Sequence, residues 1–165
     1  MIEVDKTLGT VDSALLSEYI LQNFGDMSHL KLQKLLYYAQ AYHLAYFENP
    51  LTEDDFEAWV HGPVSRKVFD LLKDKSLLYV DLKYVPEEGT QSPAGYLQPS
   101  LTKEQIDWVN YVLGEFSGLS GPELEALTHS EAPWIDARKG FEPADRCNNI
   151  IPKPAMAEFY RQQLY

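Results

Sequence analysis

A chain of 165 residues with 45% hydrophobic and 13% aromatic content has the material for one folded domain around one core. Its net charge of −11, from 25 acidic against 14 basic residues, argues against free-standing nucleic-acid binding, which needs clustered cations to displace counterions. The lone Cys147 excludes an internal disulfide and a multi-cysteine zinc site, while the first residues lack a signal peptide's basic and apolar regions and no apolar run suits a membrane, so a cytoplasmic protein is expected.

Asp12 caps a first predicted helix, from Ser13 to about Phe24, with Leu15, Leu16, Tyr19, Ile20 and Phe24 on one face and Gly25 as the stop. Ser28 opens a longer helix running to about Phe47. There Leu32, Leu35, Leu36, Ala39, Tyr42, His43 and Tyr46 form a broad apolar stripe, and Lys31 and Lys34 lie off it, facing water. Asn49-Pro50 breaks the pattern, and an acidic run from Glu53 to Glu57 follows. Gly62-Pro63 reads as the start of a third helix that buries Val64, Val68, Leu71 and Leu72. Beyond it, Val80, Leu82 and Tyr84 alternate as a short strand before a Pro/Gly-rich loop, PEEGTQSPAG. Thr102 with Gln105, and Ser120 with Glu123, are capping boxes for helices to about Phe116 and His129. Ser130 to Ala137 begins another turn, and Pro154 sits near the start of a last helix carrying Met156, Phe159, Tyr160 and Leu164. The expected fold is mainly α: a single domain of about six helices with a short β-strand pair.

Few residues form a chemical constellation. His29, His43, His61 and His129 are scattered and have no partners at ligand spacing, so neither a metal nor another cofactor is expected. Cys147 has no local signature of an activated nucleophile, and no P-loop, GxSxG or GxGxxG is present. The acids around Phe56 read as a solvated face rather than a catalytic pair. Trp59, His61, Gly62 and Pro63 have two readings: a core anchor, a tight approach and a helix start, or a binding cluster beside an acidic run. Thr128, His129, Pro133 and Trp134 share that ambiguity. Adjacent helical residues point about 100° apart, so Tyr37 and Tyr38 cannot both sit mid-stripe; one is an exposed interface aromatic, or both border a large core.

The ordered set Lys31-Leu32-Gln33-Lys34-Leu35-Leu36-Tyr37, Pro50-Leu51, Ala58-Trp59, Gly62-Pro63-Val64, Leu127-Thr128-His129 and Pro133-Trp134 resembles the Panacea domain of antitoxins and SocA-like proteolysis adaptors. The Ile150-Ile151 pair before the last helix continues the likeness, which runs from about residue 12 to about residue 160 and leaves residues 1–11 as an N-terminal extension. The resemblance implies a non-enzymatic antitoxin that neutralises a protein toxin by binding it. The adaptor branch of the family would instead deliver the toxin to an AAA+ protease. A small hydrolase using Cys147 or a histidine is the reading from another class. Some relatives add a DNA-binding helix-turn-helix; with about a dozen residues before the first predicted helix, that module and direct operator binding are not expected here. The acidic charge fits a basic toxin. Candidate partner-binding residues are Asp54, Asp55, Tyr37, Tyr38 and His61, whereas Leu35, Trp59, Gly62, Pro63, Val64, Thr128, His129, Pro133 and Trp134 are matched positions of mainly structural role.

Overall fold

A computed structural model describes residues 7–75 and 80–164. Asp12 caps α1 (Ser13–Phe24) by accepting from the Ala14 amide, and Ser28 caps α2 (His29–Phe47) by accepting from that of Lys31. After α2 come the hairpin of β2 (Glu57–Trp59) and β3 (Gly62–Val64), then α3 (Arg66–Leu72). The two-residue strands β1 (Met27–Ser28) and β4 (Asp81–Leu82) pair antiparallel, Met27 opposite Leu82. The chain continues through α4 (Pro93–Ser100), α5 (Lys103–Phe116), α6 (Gly121–His129), α7 (Ala132–Ala137) and α8 (Lys153–Gln163). Both expected capping boxes form, at Thr102 and Ser120. The fold is mainly α.

The organising element is α2. Helices α1, α5, α6 and α8 pack around it together with β3, so 15 of its 19 residues are buried and no full face of it is left to water. That corrects the one-sided stripe. Lys34, expected in water, is fully buried, while Tyr46, expected on the stripe, is 56% exposed. Tyr37 and Tyr38 are both at 0%, which corrects the expectation that one is presented at the surface. The Tyr37 hydroxyl lies 3.0 Å from that of Tyr160, and Tyr38 and Tyr160 both donate to Glu131 Oε1. Tyr38 also stacks on Phe116, with centroids 4.3 Å apart.

A helix buried all round must satisfy its polar side chains internally, and here they clamp irregular backbone. Gln40 accepts from the amides of Leu51 and Thr52 and donates to the Thr52 carbonyl, which seats the connection after α2. His43 donates from Nδ1 to the Asn49 carbonyl and accepts at Nε2 from Gln105, a pairing that fixes the neutral tautomer. Gln105 in turn receives the Gly9 and Thr102 amides and donates to the Gly9 carbonyl, using all of its amide capacity.

Three local expectations change. Gly62-Pro63 does not start a helix: Pro63 lies in β3 opposite Ala58, and α3 begins at Arg66 under a Ser65 cap. Leu71 is 54% exposed, because this short helix buries only Val68 fully. Part of the Pro/Gly-rich loop is α4, entered through a Ser92 cap with Pro93 at the start, where proline gives up no needed hydrogen bond. Residues 76–79, which precede β4 in the chain, lie outside the described residues.

Candidate interaction site

The matched motif residues converge on the β2–β3 hairpin. Trp59 pairs with Gly62 across a Val60-His61 turn, and Gly62 has φ +101°, a conformation that disfavours a side chain. A Cβ at Gly62 would also sit 2.5 Å from Lys34 Cε and 2.9 Å from Thr128 Oγ1, so the glycine is required twice, by torsion and by space. Beneath it Lys34 Nζ donates to the Pro63 carbonyl at 2.8 Å. Burial pushes this ammonium down to about 7, partly offset by the nearby Glu125 carboxylate. One helical turn from α2's start, Gln33 accepts from the Ser65 amide and donates to the Ser65 carbonyl and to His29.

From the other side, Trp134 Nε1 donates to the Trp59 carbonyl at 2.8 Å and its ring stacks on His129, centroids 4.1 Å apart. Thr128, fully buried, donates to the Glu125 carbonyl, and Val64 and Leu35 are core residues at 0% exposure. Pro133 opens α7, which carries Trp134. These positions form a cradle that holds the hairpin.

Arg138 carries no local signal in the sequence. It is 4% exposed, lies over the Trp134 ring and donates to the carbonyls of Ala58, Glu142 and Asp145. The Ala58 amide meanwhile donates to Asn149, and Ile151 donates to Phe56. Arg138 thereby pins the loop after α7 against β2, and the hairpin and loop enclose a cleft of about 740 Å³. Trp59, Val60 and Phe69 supply its apolar wall; Arg66, Arg146 and His61 supply its polar one. Cys147 and Asn148 complete the lining. Arg66 is held by a two-point contact with Glu57 and lies over Trp59, 5.1 Å from the ring centroid. Burial alone raises the Glu57 carboxyl, but the hydrogen bonds from Arg66 and Trp59 outweigh it and keep the group below its usual range.

The candidate partner-binding residues do not form one surface. His61 is half-exposed at the cleft, 2.6 Å from Glu125. Asp54 is half-buried and accepts from the Ser65 hydroxyl, which belongs to the α3 cap. Asp55 is exposed and pairs with Lys153. Tyr37 and Tyr38 lie in the core behind them. Among the described residues, no three His, Cys, Asp or Glu side chains gather as a ligand set, and no helix is long and apolar enough to cross a membrane.

Residues 32–135, from the first turn of α2 into α7, match the family described as Antitoxin SocA-like, Panacea domain. The chain belongs to this antitoxin family. The matched Panacea stretch contains both the hairpin and its cradle, and the loop bearing Arg146 follows it. A curated relative, Antitoxin SocA of Caulobacter vibrioides (strain NA1000 / CB15N), is 28% identical over 109 residues, covering 66% of this Panacea chain and 58% of that protein. No solved structure matches.

Proposed function

We propose that this Panacea protein works in the cytoplasm as an antitoxin that neutralises a cognate, basic protein toxin by stoichiometric binding, without a catalytic step of its own. One observation carries the reading: the family match covers α2 to α7, the stretch that builds the cradled hairpin with its half-exposed turn and aromatic wall. Such a rigid, side-chain-clamped hairpin suits recognition, because little conformational freedom is lost on docking. The test is co-expression with the product of the adjacent open reading frame, followed by sizing of the purified complex. Rescue of growth that requires stoichiometric expression, together with a stable complex, is expected. Rescue at sub-stoichiometric levels that disappears in a host lacking its AAA+ proteases would replace occlusion by the adaptor mechanism.

A second reading rests on one specific contact set. Cys147 and His61 line the same cleft, and His61 Nδ1 lies 2.6 Å from Glu125 Oε1, the orienting contact that a thiol hydrolase would use. Cys147→Ser separates the two, since an antitoxin retains rescue and a hydrolase loses its function.

A further inference from the structure

The cleft between the β2–β3 hairpin and the Arg138-pinned loop gathers basic side chains in an acidic molecule; Arg66 is paired with Glu57 and His61 with Glu125, so Arg146 is the one without a carboxylate partner among the described residues. In a chain with 25 acidic and 14 basic residues, its lining holds two arginines and a histidine and no carboxylate. Arg146 is exposed and has no hydrogen bond or ion pair among the described residues. Arg66 is already oriented, because Glu57 engages Nε and Nη2 and the Trp59 face supports the guanidinium, leaving Nη1 without a partner among the described residues. Beside these cations lies the apolar surface of Trp59, Val60 and Phe69, with Trp59 and Phe69 in edge contact at 4.9 Å. Arginine and tryptophan are the side chains that dominate protein-interface energetics, and guanidinium groups recognise carboxylates through paired hydrogen bonds.

We infer that this cleft docks a short acidic segment of a protein partner, with a large apolar side chain against Trp59 and Phe69 and a flanking carboxylate on Arg146. It draws on the antitoxin reading only in taking that partner to be the toxin. A toxin of basic overall charge would then engage the acidic surface broadly and present a locally acidic anchor here. A nucleotide fits less well, since Arg66 already lies over the Trp59 ring face on which a base would stack.

The test uses the full chain and four probes in calorimetric or NMR titrations. These are a capped Asp-Glu-Phe-Leu-Asp peptide, its Lys-Lys-Phe-Leu-Lys counterpart, an acidic version with glycine in place of the apolar pair, and ADP. The acidic apolar peptide should bind most tightly. Arg146→Glu, at an exposed residue with no hydrogen-bond or ion-pair partner among the described residues, should weaken it about tenfold or more. Binding at least as tight by the basic peptide or by ADP, no binding of any peptide, or acidic-peptide affinity unchanged by Arg146→Glu would overturn the inference. Toxin rescue on the same variant keeps the two readings apart. Rescue without Arg146-dependent peptide binding removes the cleft and leaves the antitoxin, whereas Arg146-dependent binding without rescue of any toxin leaves the cleft and removes the antitoxin.

Discussion

Burying the Lys34 ammonium in a helix surrounded by protein brings its pKa down to about 7, whereas in the unfolded chain it stays near 10.5. Between these values the unfolded state binds a proton that the folded state has released, so stability rises with pH, by up to about 1.4 kcal/mol per pH unit. Neighbouring groups leave that window clear. Desolvation shifts the buried imidazole of His43 and the partly buried one of His129 below 6.5, so they remove stability only as pH falls through the lower range. Tyr37, Tyr38 and Tyr160 are raised by burial and oppose the trend only near pH 10, where unfolded tyrosines ionise. Urea unfolding from about pH 7 to about pH 9 should show the rising slope in the wild type and a flat profile in Lys34→Met. At the same cradle, Gly62→Ala combines a strained torsion with a close approach to Lys34 and Thr128. It should cost about 2–3 kcal/mol and lower the Tm by roughly 4–12 °C, measured by thermal circular dichroism.

At the level of elements, the acidic connection before β2 has two different jobs. Asp54 accepts at 2.6 Å from the Ser65 hydroxyl, and Ser65 caps α3 while its backbone is clamped by Gln33. Asp55 only pairs with Lys153 at the surface. Asp54→Lys should therefore destabilise by about 1–3 kcal/mol, through loss of a part-buried, charge-assisted hydrogen bond. Asp55→Lys should stay within about 0.5–1 kcal/mol. Chemical denaturation of the two single variants checks the split; equal effects would mean that Asp54 does not support the cap. A probe of electrostatic steering by a basic toxin accordingly belongs at Asp55 and the exposed Glu53, where a lower association rate at low salt would report docking rather than unfolding.

For the molecule as a whole, the net charge of −11 outweighs the local cation excess at the cleft. Isolated protein should show no shift of duplex DNA at physiological salt, since phosphate contacts need a larger cationic footprint than one cleft provides. Micromolar binding in a gel-shift at that salt would contradict this. Retardation by a toxin complex would instead locate the basic surface on the partner.

Local chemistry in the sequence settled the beginnings of most elements: Asp12, Ser28, Thr102 and Ser120 cap the helices they were expected to cap, because capping depends on neighbours within a turn. The family was legible from ordered motifs such as Gly62-Pro63-Val64 and Leu127-Thr128-His129, although the purpose of those residues was not. Periodicity assumes a helix with one wet side, so it placed Lys34 in solvent and set Tyr37 against Tyr38. Only the packing of α1, α5, α6 and α8 around α2 reveals that all three are buried. Likewise, Gly62-Pro63 carries the same local signal as a helix start or a strand after a tight turn. Contacts from Lys34, Thr128 and Trp134, far away in the chain, decide for the strand. The cleft lay beyond sequence reasoning altogether: it exists because buried Arg138 ties a distant loop to β2, and no local pattern encodes a contact between residues 80 positions apart.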